Sequence, residues 1–340
     1  MSTIFPTVPV LPNQINQTGN ANALILEQFT GDVEHTFVST SVLEKFFPRK
    51  TVKGTNTLTR KAIGRTKLQK LKRGDSPDGT QVDFSKASVT VDTLLLSRHS
   101  IWVLDEIFTD IDTRKEIAVE QGQEIAEFVD ATISIAAAKA AAQTQSTFTK
   151  NGRAPEGHFG ATQIGLAAAG DELDPAKLYA AIGKLFSQME ETKKVKPQRD
   201  GIVLIVRPTV FYTLQQAEQI VNGEYLTSDG NRLTGIPMFK AWGVPVLSSE
   251  NLPNGQVVGH LLSNEDNNQW YDGNFTGLVA VAVSPRALLI AEALPLQSSV
   301  WWSDSSKCYF VDSWMSFAVG FNRVDLAGLI RAAGTNPGAS

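Results

Sequence analysis

Cysteine and histidine are scarce, with one Cys and four His in 340 residues. Cys308 cannot close an intramolecular disulfide, and its aromatic neighbours Trp301, Trp302, Tyr309 and Phe310 predict that it is buried; a reducing compartment is the simplest reading. His35, His99, His158 and His260 stand apart in no metal-binding spacing, and a lone Cys forbids a CxxC zinc site, so neither metal nor cofactor is expected. A G-x-S-x-G elbow and a phosphate-binding P-loop are missing as well. The glycines at 152, 157, 160 and 165 follow no expected strand, miss the dinucleotide fingerprint and read as a loop. A two-domain α/β enzyme, the remaining enzymatic alternative, would have to work without a recognisable site, so no enzymatic activity is expected.

Charge is missing in particular places. Met1 to Asn20 has no Lys or Arg and has prolines at 6, 9 and 12, which is not the pattern of a secretory signal. The nearest approach to an 18-residue apolar run is Ile133 to Ala142, interrupted by Lys139 and too short to span a bilayer, so no membrane association is expected. Lys plus Arg is 31 against 35 for Asp plus Glu, a net charge of −4, so no global positive field exists to hold a nucleic-acid backbone tightly. The 42% hydrophobic content is enough to fold, and the length suggests roughly two domains.

From Met1 to about Gly31, Asn, Gln, Thr and Pro dominate, which describes an extended arm that cannot fold alone. Phe37, Val42, Phe46 and Phe47 are available to anchor it to its own body or to a neighbour. Arg49 to Arg73 carries ten basic residues and no Asp or Glu. Thr57-Leu58-Thr59 and Ile63 precede a turn-rich Arg73 to Thr80, and Val82, Phe84, Ala87, Val89 and Val91 follow in near alternation, which predicts a long β-hairpin. Neither of its faces reads as a core, so the hairpin is expected to project and find cover on another chain.

Thr113 and Glu116 form a capping box opening a helix through Ala142, with Ile117, Ile125, Phe128, Val129 and Ile133 as its apolar stripe. Glu116, Glu120, Glu124, Glu127 and Asp130 occupy its other faces. Between Trp102 and Asp130 nine acids stand against two bases, Arg114 and Lys115. Thr147 to Gly170 reads as an irregular connection with a domain boundary near Lys150, and Asp174-Pro175 opens a second helix through about Thr192. Gly201 to Val206 reads as a buried strand, followed by a short helix from Thr209 to Gln216. Further strands are expected at Met238 to Leu247, Leu278 to Val283 and within Leu288 to Ile330, ahead of a small-residue tail from Ala332 to Ser340.

A lysine-rich run can be a solvated face, a nucleic-acid patch or a protein contact. The run 49 to 73 contains no aromatic residue for base stacking. An unpaired basic hairpin and an oppositely charged helix in one chain favour head-to-tail packing of copies, which builds rings or shells. The residues expected at that interface are Arg65, Lys67, Lys70, Lys72 and Arg73 on the hairpin and Glu116, Glu120, Glu124 and Glu127 on the helix.

Several short blocks follow one another along the chain: Ile63-Gly64-Arg65-Thr66, Gly74-Asp75, Val89-Thr90-Val91-Asp92-Thr93-Leu94-Leu95, Val103-Leu104-Asp105-Glu106-Ile107, and the helix Arg114 to Ala142. Arg207-Pro208-Thr209-Val210-Phe211-Tyr212, Gly235-Ile236-Pro237 and Trp242-Gly243-Val244-Pro245-Val246 follow. From about Asp32 to the C-terminus this order resembles the major capsid proteins of tailed phages with the Hong Kong 97 capsid fold, and among them the short-tailed podophage (autographivirus) branch. The resemblance implies an α+β fold with an N-terminal arm (1–48), an extended β-hairpin loop (49–100), a peripheral domain with a long spine helix (101–150 and 296–340) and an axial α/β domain (151–295). It further implies self-assembly into the pentamers and hexamers of an icosahedral shell around double-stranded DNA. The implied partners are other copies of the chain, a scaffolding protein, a portal protein, decoration proteins and non-specifically packaged DNA, with assembly in the host bacterial cytoplasm and residence in the virion. An encapsulin-type nanocompartment shell, built on the same fold, is the alternative.

Overall fold

The structure is a computed structural model and describes residues 32–37, 41–66, 68, 70–74, 76, 79, 82–103, 113–149, 154–155, 157–217 and 238–338. Most of the expected arm, Lys67 and part of the hairpin tip, and the acids Asp105, Glu106, Asp110 and Asp112 lie outside these residues, as does the block Gly235-Ile236-Pro237.

Helix α1, Thr113–Ala142, runs 30 residues, or ~45 Å at the usual rise. Its N-terminal half buries one stripe that includes Ala118, Ile125 and Val129, as the spacing predicts. Its second half differs from the single stripe expected, because residues 132 to 141 are all buried. The cause is composition: Ala136, Ala137, Ala138, Ala140 and Ala141 leave a thin rod that elements can approach from every side. Gly122 serves the same end locally. A Cβ there would meet Thr36 Cβ at 2.8 Å and the Val33 carbonyl oxygen at 2.9 Å, so the helical segment 32–37 crosses α1 at this position.

Six strands form the larger sheet: β5 (Thr162–Gly165), β6 (Val203–Val206), β7 (Met238–Ala241), β8 (Val244–Ser248), β11 (Leu278–Val283) and β14 (Ala327–Arg331), in the order β5-β14-β11-β6-β8-β7. Every residue of β6 and β11 is buried, so continuous apolar runs occur where both faces of a mixed sheet are covered. Helix α1 packs on this sheet, as does α2 (Pro175–Lys193). Asp174 caps α2, its carboxylate accepting from the Ala176 and Lys177 amides at 3.0 and 3.3 Å, and Pro175 occupies the first turn. Helix α3 (Pro208–Gln215) follows β6.

The second sheet has the order β1-β12-β13-β4, with β1 (Arg49–Thr51), β4 (Leu95–Trp102), β12 (Leu288–Ser303) and β13 (Cys308–Phe321). Cys308 is buried at the start of β13, as expected. β2 (Thr57–Ile63) and β3 (Phe84–Thr90) pair with each other, Thr57 opposite Thr90 and Ile63 opposite Phe84. β9 (Gln256–Val257) and β10 (Gly273–Asn274) make a small separate ladder.

The structure differs from expectation in several places. The hairpin is shorter than 49–100, because β1 runs parallel to β12 and β4 pairs antiparallel with β13. β14 lies in the six-stranded sheet between β5 and β11, so the segment 296–340 divides between the two sheets. The connection 147–170 contains β5, which pairs in parallel with β14. Finally, the hairpin finds cover at its base within its own chain: Val89 and Val91 pack with Val52, Leu289, Ala291 and Ala318, and Ala62 and Ala87 pack with Phe148. Ala87, Val89 and Val91 form one alternate face, and that face meets the sheet.

Candidate inter-subunit interface

Beyond its packed base the hairpin turns polar and exposed. Lys61 stands directly opposite Lys86 across the ladder, a repulsive pair that gives this end no stability of its own. Past Ile63 the Gly64 amide donates to the Asp83 carbonyl at 2.8 Å, and the chain then enters the tip. Arg65, Lys70, Lys72 and Arg73 are all exposed there; Lys67 lies outside the described residues. Large apolar side chains stand among these cations. Leu68 is fully exposed, Leu71 57% exposed, and Ile63 and Phe84 60% and 66%. Sequence alone does not mark these as exposed, because the basic run dominates their neighbourhood.

Glu116, Glu120, Glu124 and Glu127 are exposed, and their spacing puts them along one face of α1. Glu124 also accepts from the Ser97 hydroxyl at 3.4 Å. Beside this acidic face runs a groove of ≈ 320 Å³ lined by Leu94, Leu96, Ile125, Phe128, Leu261 and Met315, with Glu124 on its lining. Thus an acidic, partly apolar surface exists on one part of the chain and a basic, partly apolar tip on another. Among the described residues no ion pair joins the two groups.

Asp130 does not belong to the exposed acidic face. It is buried and holds the chain leading into β1: Ser41 Oγ donates to it at 2.9 Å, and the Val42 and Leu43 amides at 2.7 and 3.3 Å. Burial pushes its carboxyl above the usual range despite these hydrogen bonds. Arg49 then bridges Glu44 at 2.8 Å and Glu292 at 3.2 Å, fixing the entry to β1.

The other polar clusters fasten elements together. The buried Lys139 ammonium donates to the Trp270 and Asp272 carbonyls, both at 2.6 Å, and burial lowers its pKa. His260 is stacked between Phe128 and Tyr271, at 5.0 and 5.1 Å, with its pKa lowered by burial. Tyr271 exchanges hydrogen bonds with the Val319 backbone, and burial pushes its hydroxyl up to about 12. Arg98 forks Asp312 at 2.7 and 2.8 Å, and Trp301 Nε1 donates to the same carboxylate at 2.9 Å. Among the described residues no three His, Cys, Asp or Glu side chains gather as metal ligands, and no helix is long and apolar enough to cross a membrane.

A family model described as phage capsid protein matches residues 97–329. No curated protein matches the chain in sequence. Among solved structures it is similar to the capsid of cyanophage P-SCSP1u, with a TM-score of 0.72 and 17% identity over 97% of this chain and 94% of that one. It is also similar to the asymmetric unit of the bacteriophage PhiM1 mature capsid, with a TM-score of 0.68 and 17% identity over 96% and 92%. For the capsid of Ralstonia phage GP4 the TM-score is 0.60 and the identity 13%, over 89% and 93%. At these identities the likeness is one of fold.

Proposed function

The chain belongs to the phage capsid protein family, and from that premise we propose how its copies join and which branch it comes from. It is a major capsid protein, a structural component of the virion shell, and its mixed α+β fold is the one seen in the capsid structures it resembles. The finer reading is a Hong Kong 97-type subunit of the short-tailed podophage branch, assembled in the host cytoplasm as pentamers and hexamers around double-stranded DNA. A scaffolding protein, a portal and, in some shells, decoration proteins are its partners in that reading. The parts are an arm through about residue 48, an extended loop at the β2–β3 hairpin, a peripheral domain on α1 and the four-stranded sheet, and an axial domain on the six-stranded sheet, with β14 reassigned to the last. The match to a phage capsid family favours the virion over an encapsulin-type compartment.

The hairpin tip of one subunit, through Arg65, Lys67, Lys70, Lys72 and Arg73, lies on the Glu116, Glu120, Glu124 and Glu127 face of its neighbour. What supports this is that the described residues of both groups are exposed and opposite in charge. Exposed pairs contribute only ~0–1 kcal/mol each, so the contact acts through repetition around a closed shell. Electron microscopy and light scattering on protein expressed with and without its scaffolding partner test the reading. Closed shells should form, Lys70→Glu with Lys72→Glu should lower their yield, and Glu120→Lys with Glu124→Lys should partly restore it. Shells of unchanged yield in the first reversal would sink the pairing.

A further inference from the structure

At the outer end of the β2–β3 ladder, where the chain enters the tip, lies a cavity of ≈ 400 Å³ lined by Ile63, Arg65, residues 157–159, residues 192–194 and Arg323. We propose that it is an anion site for a phosphate-type oxyanion, carried by free phosphate or by a nucleic-acid backbone. The basic side chains Arg65, Lys193, Lys194 and Arg323 line it together with His158, and among the described lining residues there is no carboxylate. The carboxylate whose field reaches Lys193 is Asp325, and Arg323 already forks it at 3.2 and 2.6 Å. Lys193 Nζ donates to the Gly160 carbonyl at 2.5 Å, which uses one of its three donors and fixes its position.

The backbone is shaped around these groups. Gly157 has φ +90°, and a Cβ there would stand 3.1 Å from Arg65 Cβ, so glycine leaves room for the arginine. His158 Nε2 lies 3.1 Å from the Ile63 carbonyl and ties the same loop to the hairpin. Lys194 caps α2 in the left-handed region, φ 58°. Cations arriving from three separate segments suit a tetrahedral oxyanion, whose oxygens point in several directions, better than a planar carboxylate. Burial pushes Lys193 down to about 8, so an anion here also restores the charge on that ammonium. The site joins the outer end of the β2–β3 ladder to α2 and to the corner after β13, so its occupancy fixes where the tip departs from the body.

Calorimetry on the purified full-length protein, titrated with inorganic phosphate at constant ionic strength, tests the proposal. Saturable binding is expected. Arg65→Ala with Lys194→Asn, the latter tolerant of the left-handed backbone, should weaken it by about tenfold or more, while Lys184→Ala on the exposed side of α2 should not. A short DNA duplex then distinguishes the sources: displacement of phosphate identifies a nucleic-acid backbone, and failure to displace it identifies free phosphate. No saturable phosphate binding in the parent protein, or equal affinity in the double variant, would overturn the site.

Discussion

Asp130→Ala should release residues 41–43 from α1 while leaving the helix and both sheets folded. In the parent chain one carboxylate accepts from Ser41 Oγ, the Val42 amide and the Leu43 amide. Ser41 and Leu43 are buried and Val42 is half-buried, so alanine strands two buried donors and one that water can reach. A buried donor without a partner costs ~1–3 kcal/mol. Removing a carboxylate that burial already penalises offsets part of this, leaving a net loss of about 2–4 kcal/mol. Asp130→Asn retains a carbonyl acceptor and should lose about half as much. Leu43 and Phe47 sit in the main core next to this latch, so the released segment withdraws both of them. Hydrogen exchange should therefore accelerate over 41–47 while β6 and β11 stay protected, with a matching fall in the urea midpoint. Because burial raises the carboxyl pKa, the folded chain holds its proton to higher pH than the unfolded chain does. Stability then falls as pH rises through the window just above the ordinary carboxylate range, and the Asn variant lacks that slope. Unchanged exchange at 42 and 43 in the alanine variant would refute the latch.

Gly320 tests the hairpin's seat on its own chain: an added Cβ overlaps Val89 Cγ2, so Gly320→Ala should cost ~1–3 kcal/mol and Val89→Ala should relieve it in the double variant. Strictly additive losses in urea unfolding would show that the contact is absent. Asp312→Ala leaves Trp301 Nε1 without its acceptor and frees Arg98, which is half exposed and can turn to water, so a loss of ~2 kcal/mol with altered tryptophan emission is expected. Lys193, at about 8 when folded against 10.5 ordinarily, binds fewer protons than in the unfolded chain between those values. Stability should therefore rise with pH across that window and lose this slope in Lys193→Met, as read from urea midpoints at the two ends.

The features legible in sequence were those whose cause is local. The hairpin followed from alternation at Ala87, Val89 and Val91, α1 from helical spacing, and α2 from Asp174-Pro175 at its cap. What escaped depends on distant partners. Asp130 reads as a solvated helix acid because its donors lie 89, 88 and 87 residues away. β4 and β1 read as part of the hairpin in sequence because only pairing with β13 and β12 separates them from it. β5 is four residues long in a Gly-rich connection, and β14 is set in the six-stranded sheet by partners far along the chain. At the candidate interface the charges were legible and the exposed leucines were not, since exposure at Leu68 and Leu71 is decided by where the tip points.

Carbodiimide cross-linking of shells assembled from equal parts of unlabelled and 15N-labelled protein tests the contact between copies most directly. The account predicts mixed-isotope peptides joining Lys70 or Lys72 to Glu120, Glu124 or Glu127. Assembled shells that yield these peptides only with matching isotopes, or that join the hairpin lysines to other carboxylates instead, would contradict it.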